Sequence, residues 1–143
     1  MMVILAVDYG KARTGLAICD KNMIIATPVG VIEEWNREKL VDKIVQTAVD
    51  RKADLIIIGL PKNMDGSEGE SAKCTRELKE LIESRCDTPV DMHDERCTTM
   101  IAHQYLNDVN VRGKKRKQVV DAAAATIILQ SYIDGIKFKA GSK

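Results

Sequence analysis

The chain has 143 residues and a net charge of +1, with 45% hydrophobic and 30% charged residues. That balance excludes a disordered chain, suits one domain with its own core, and supplies no global field to draw a polyanionic partner. No stretch approaches the roughly 20 apolar residues of a membrane span. The opening lacks the basic flank and cleavage site of a signal peptide, so a cytoplasmic protein without membrane contact is expected.

Val3-Ile4-Leu5-Ala6-Val7 is a continuous apolar run ending at Asp8, the pattern of a central strand covered on both faces. The segment from Tyr9 to Gly15 reads as a turn, and Leu16 to Cys19 as a second strand. Met23 to Ile32, interrupted by Pro28 and Gly30, reads as a third strand at an edge. Asn36 is the expected N-cap of a helix whose stripe is Leu40, Val41, Ile44, Val45 and Ala48. Leu55 to Gly59 is a second buried strand, and a helix between two such strands implies a parallel crossover.

Ser67 and Glu70 have capping-box spacing for the next helix, with Cys74, Leu78, Leu81 and Ile82 on one face. Pro89 to His93 forms a short strand running into Asp94-Glu95-Arg96. Thr98 caps a helix over Ile101, Ala102, Tyr105 and Leu106. The basic stretch from Val111 to Lys117 then leads into a long helix from about Gln118 to Ile136. The result is an α/β fold with a mixed five-stranded sheet, three antiparallel strands followed by two parallel ones, and helices on both faces. One domain over residues 1–138 is expected, with 139–143 a frayed tail.

The four cysteines, Cys19, Cys74, Cys86 and Cys97, contain no CxxC pair. Neither a disulfide framework nor a closed zinc site is expected. His93, Cys97 and His103 lie near one another in sequence, but their spacing fits scattered residues better than a metal centre. Cys97 has no identifiable base nearby and does not read as a nucleophile.

Three acids are the candidates for chemistry. Asp8 stands where a buried strand meets a turn, at the end of a sheet where α/β proteins bind ligands, although ordinary turn chemistry also accounts for it. Glu95 follows the last strand. Asp121 shares a helical face with Ala125 and Ile128 in the most apolar helix, where a carboxylate is costly unless paired or bound to a metal. If the three converge they need cations, and two divalent ions about 4 Å apart suit in-line phosphodiester hydrolysis.

These pieces together resemble the YqgF/RuvX family of Holliday-junction-resolvase-like proteins. The matching motifs are Asp8-Tyr9-Gly10 with Arg13 and Gly15, and Gly59-Leu60-Pro61 with Met64-Asp65-Gly66-Ser67-Glu68-Gly69. They continue with Asp94-Glu95-Arg96 and Thr98-Thr99, then Lys117, Val120-Asp121, Ala123-Ala124 and Ile128-Leu129-Gln130. All four groups occur in family order and span nearly the whole chain. Cys97 departs from the pattern, standing where an aliphatic residue is expected.

The resemblance implies an RNase-H-like fold and a nuclease dependent on Mg²⁺ or Mn²⁺, with Asp8, Glu95 and Asp121 as catalytic metal ligands. Asp94 stays open as a substitute for Glu95, because strand alternation sends the two to opposite sides. The implied substrate is nucleic acid, either the 5′ end of precursor 16S rRNA or branched DNA, and a homodimer is left open. Nucleic-acid contacts are expected from Arg13, Ser67, Arg96, Lys114, Lys115, Arg116 and Lys117. Aromatic residues make up only 3% of the chain, so contacts to phosphate and shape are favoured over base stacking. Two other readings are weaker. A non-catalytic nucleic-acid-binding domain would not need the three acids, and an actin-like ATPase would need a second domain.

Overall fold

A computed structural model describes residues 2–10, 12–21, 25–61, 67–94 and 124–136. Five strands, β1 (Ile4–Asp8), β2 (Arg13–Cys19), β3 (Ala26–Glu33), β4 (Leu55–Leu60) and β5 (Val90–Asp94), form one sheet in the order β3-β2-β1-β4-β5. β2 pairs antiparallel with β1 and with β3, whereas β4 runs parallel to β1 and β5 parallel to β4. Helix α1 (Arg37–Asp50) supplies the crossover from β3 to β4, and α2 (Glu70–Arg85) that from β4 to β5. Residues 124–136 form a further helix, α3. The expected α/β sheet, three strands antiparallel and two parallel, is the one observed.

The sheet divides the core in two. Strand alternation sends Leu5 and Val7 of β1 to one side, where they meet Leu40, Val41, Ile44 and Ala48 of α1 and Leu78 and Ile82 of α2. Ile4 and Ala6 point to the other side, with Ala17, Cys19, Ile57 and the α3 residues Ala125, Ile128, Leu129 and Ile133. Ile4, Leu5, Ala6 and Val7 are all 0% exposed. This is why the first run reads as unbroken apolar sequence rather than as an alternating one.

Several local expectations are met. Asn36 caps α1, its side chain accepting the Lys39 N–H at 3.1 Å. β3 is an outer strand of the described sheet. Its register with β2 shifts at Leu16/Ala17, and Gly30, opposite Leu16, takes φ 147, a conformation that excludes most side chains.

Three expectations need correction. β2 begins at Arg13, so the turn after Asp8 is shorter than the polar sequence suggested; pairing with β3 (Arg13↔Glu33, Thr14↔Ile32) draws those residues into the sheet. The Ser67–Glu70 capping box does not form, because α2 starts at Glu70 with Gly69 as an extended N-cap that makes no side-chain cap bond. Glu68 is instead gripped by Arg76, at 2.6 Å to Nε and 2.7 Å to a terminal nitrogen, which fastens the approach to the helix from nearly two turns into it. The buried face of α2 is Ala72, Thr75, Leu78 and Ile82, with Cys74 and Leu81 only partly covered. The expected helix over Ile101 to Leu106 and the basic stretch from Val111 to Lys117 lie outside the described residues. Among the described residues no helix is long and apolar enough to cross a membrane.

Candidate active site

The parallel strands carry the site's frame. Val7, Ile58 and Met92 lie abreast on β1, β4 and β5. One residue further along, Asp8 ends β1 beside Gly59 and His93, which pair with each other. Asp8 is half-buried and has the strand parity of Ile4 and Ala6, so it belongs to the face that α3 covers. Gly59 contributes no side chain to that row. The row sits at the carboxyl ends of parallel strands, where α/β sheets hold their ligands.

The turn after Asp8 is held tightly. A Cβ built on Gly10 would lie 2.3 Å from the carbonyl oxygen of Arg13, a backbone atom with no rotamer by which to retreat. Gly10→Ala is therefore expected to lower stability by roughly 2 kcal/mol and to displace the Asp8 turn. Thermal melts should show that loss, and an unchanged melting temperature would mean the turn can open without cost. Arg13 starts β2 directly opposite this turn, with the strand parity of Ala17 and Cys19, and thus on the Asp8 face.

On β5, Asp91 and His93 also face α3. His93 Nε2 lies 3.0 Å from Ser131 Oγ, and the Tyr132 hydroxyl donates to Asp91 at 3.4 Å. Sequence spacing had grouped His93 with Cys97 and His103. The structure gives His93 a helix partner, while Cys97 and His103 lie outside the described residues. Strand parity could have placed His93 on the face shared with Asp91, but not against Ser131.

The other side of the sheet carries a groove of about 840 Å³ lined by Tyr9, Trp35, Arg37, Glu77, Glu80 and Leu81, among others. Arg37 is bonded to Glu77 at 2.8 Å, and Glu77 together with Tyr9 raises the guanidinium pKa above its ordinary value. Three of the lining residues, Glu38, Glu77 and Glu80, are acidic, which opposes a phosphate backbone. The size of this groove does not make it the site; Asp8 belongs to the opposite face.

Of the sequence-predicted residues, Asp8, Arg13 and Ser67 are described. Asp8 and Arg13 come to one end and one face of the sheet. Ser67 is exposed and lies three residues before α2, so it does not open that helix. Glu95, Arg96, Lys114, Lys115, Arg116, Lys117 and Asp121 lie outside the described residues. Glu95 follows β5 directly, and Asp121 is three residues before the described part of α3.

A family model described as "RuvX: Holliday junction resolvase" matches residues 2–135. The chain belongs to the RuvX family. A RuvX relative from Clostridium botulinum, named "Putative pre-16S rRNA nuclease", is 38% identical over 135 residues, covering 94% of this chain and 98% of its own. Another with the same name, from Halothermothrix orenii, is 40% identical over 134 residues, covering 93% of this chain and 95% of its own. Among solved structures, Thermus thermophilus RuvC in complex with a Holliday junction matches with a TM-score of 0.62 at 11% identity, covering 99% of this chain and 98% of that one. Fowlpox virus resolvase bound to Holliday junction DNA matches with a TM-score of 0.55 at 13% identity, covering 94% and 99%. At such identities these two structures establish that the RuvX chain has the RuvC-like fold, the RNase-H-like architecture expected from its motifs.

Proposed function

We propose that this RuvX-family chain is a divalent-metal-dependent nuclease that processes the 5′ end of precursor 16S rRNA. It hydrolyses phosphodiester bonds at the carboxyl ends of β1, β4 and β5. The observation that carries the reading is the placement of Asp8 at the end of a central strand, on the face covered by α3. Full-length relatives named for pre-16S rRNA support the substrate.

In this reading Asp8, Glu95 and Asp121 hold Mg²⁺ or Mn²⁺. Asp8 offers the hard carboxylate oxygen such ions take. The soft ligand Cys19 is bonded at the far end of β1, its Sγ accepting the Ile4 N–H at 3.3 Å. In sequence, Glu95 rather than Asp94 stands at an even spacing from Asp91 and His93. Gln130 accepts the Ala26 N–H at 3.1 Å, and Ala26 lies in line with Cys19 at the end of the sheet away from Asp8. A helix continued back from Gln130 to Asp121 would run about 13 Å. β1 covers about the same distance from Ile4 to Asp8. The lengths therefore allow Asp121 to come level with Asp8. When bound, the metal supplies Lewis-acid stabilisation of the charge that develops at the phosphate. The protein's part is to gather the three carboxylates, orient the phosphate and exclude competing ligands.

Substrate grip falls to the basic segment before Asp121, together with Arg13 and Arg96. Ser67, exposed at the approach to α2, is a further phosphate contact. Replacing Lys114, Lys115 and Arg116 by Ala is expected to weaken binding across sequences and to reduce the salt slope by roughly one per lost phosphate contact. An unchanged slope in a binding titration at several salt concentrations would remove the segment from the interface. The family's own description favours a second substrate, the four-way DNA junction. A cleavage assay with Mg²⁺ or Mn²⁺ that offers a precursor rRNA fragment, single-stranded RNA and a four-way junction side by side tests the proposal. Preferential cut of the precursor near the mature 5′ end is expected. Cleavage of the junction alone would transfer the function to branched DNA, and no metal-dependent cleavage of any of them would end the nuclease reading.

A further inference from the structure

Most of the contact between α3 and the sheet is apolar: Ala125, Ile128, Leu129 and Ile133 lie against Ile4, Ala6, Ala17 and Ile57. Contact of that kind is non-directional and does not by itself fix how far a helix has slid or rotated. Directional contacts lie to either side. Gln130 accepts the Ala26 N–H on β3, and Ser131 meets His93 Nε2 at 3.0 Å on β5. β3 and β5 are the two outer strands of the described sheet. The His93 contact is braced, because its ring stands edge-on to Tyr132 with centroids 5.9 Å apart and an interplanar angle of 89°. Tyr132 is held in turn by Asp91, and burial raises its phenol pKa above the ordinary value. His93 also lies in the row of Asp8, two strand spacings or about 10 Å away.

We infer that the His93–Ser131 hydrogen bond, braced by Tyr132, is a positioning latch that sets the register of α3 over the sheet. It thereby sets how the described part of α3 lies relative to the Asp8 end of the sheet. The inference rests on the three-carboxylate reading above. Within it, His93 and Ser131 act through the acids they align and touch neither metal nor substrate. An alignment error of 1 Å in such a site costs on the order of 100-fold in rate, so loss of this anchor should be visible in the chemistry as well as in the fold.

The test compares Ser131→Ala, Ser131→Thr, His93→Phe and the double variant Ser131→Ala/His93→Phe in the full chain. His93→Phe retains a ring against Tyr132 but removes the nitrogen. Mn²⁺ alone is titrated calorimetrically, and kcat and KM are measured on the substrate that the wild type cleaves. Ser131→Ala and His93→Phe should each weaken Mn²⁺ binding about 5-fold and lower kcat about 10-fold with KM nearly unchanged. The double variant should be no worse than either single one, and Ser131→Thr should restore most of the loss. Wild-type Mn²⁺ affinity and kcat in Ser131→Ala would overturn the latch, whatever happens to the melting temperature. Ser131 is only partly buried, so this variant carries the test if His93→Phe does not fold. Asp8→Asn run in parallel separates the two failures. If Asp8→Asn is inactive while the latch variants are normal, only the latch falls; if Asp8→Asn binds Mn²⁺ and cleaves normally, the three-carboxylate reading falls and the latch with it.

Discussion

Asp8→Asn is expected to abolish metal-dependent cleavage, by on the order of 10³-fold or more, while leaving the metal-free protein as stable as the wild type or more so. The substitution preserves the shape of the side chain at the end of β1 and removes its charge. In the proposed site three carboxylates would repel one another without a cation, so removing one charge should relieve the apo-protein while disabling the site. Asp121→Asn should behave the same way. The double variant should be no worse than either single change, because either one empties the shared site. Cleavage rates with Mg²⁺ or Mn²⁺, set beside melting temperatures without metal, check both halves. A melting temperature that falls in step with activity would mean that Asp8 is a structural turn residue.

The second large effect is expected at Ala125. This residue is 0% exposed and lies in one cluster with Ala6, Ala17 and Ala26, so small side chains from helix and sheet meet at this interface. Ala125→Leu adds three carbons where no space remains and should cost about 1–3 kcal/mol as α3 is pushed outward. Because Asp121 precedes Ala125 by four residues in the sequence, the displacement should also cost most of the activity. Ala125→Ser, of similar volume, should retain far more of it. Denaturant melts and cleavage rates of the pair check this expectation, and a Leu variant with near-normal cleavage would separate α3 packing from the site.

The elements buried on both faces were the most legible in the sequence. β1 and β4 announce themselves as apolar runs because alternate residues enter two different cores, and the stripe of α1 with its Asn36 cap survives intact. What escaped was decided by partners distant in the chain. Arg13 and Thr14 look like turn residues, and become strand through pairing with Glu33 and Ile32. Ser67 and Glu70 have the spacing of a capping box, but the Glu68–Arg76 pair draws the chain into a different approach, and α2 begins later. Local spacing cannot register that competition.

The candidate site divides along the same line. Asp8 was legible as the polar end of a buried strand, and the shared face of Ala125 and Ile128 was legible from helical periodicity. Both described members of that face are buried, at 0% and 1% exposure. The tie from His93 to Ser131 was not legible, because it spans 38 positions and joins a strand to a helix whose relative register no local pattern encodes. The Arg37–Glu77 pair between the first two helices was hidden for the same reason.

The central claim is that Asp8, Glu95 and Asp121 share one divalent-metal site. Anomalous diffraction from a crystal soaked in Mn²⁺ addresses it most directly, because the scattering identifies the ion independently of any activity. Manganese peaks within coordination distance of carboxylate oxygens from all three residues, at the Asp8 end of the sheet, are the predicted result. Manganese bound without Asp121, or Asp121 paired with a basic side chain away from Asp8, would contradict the account.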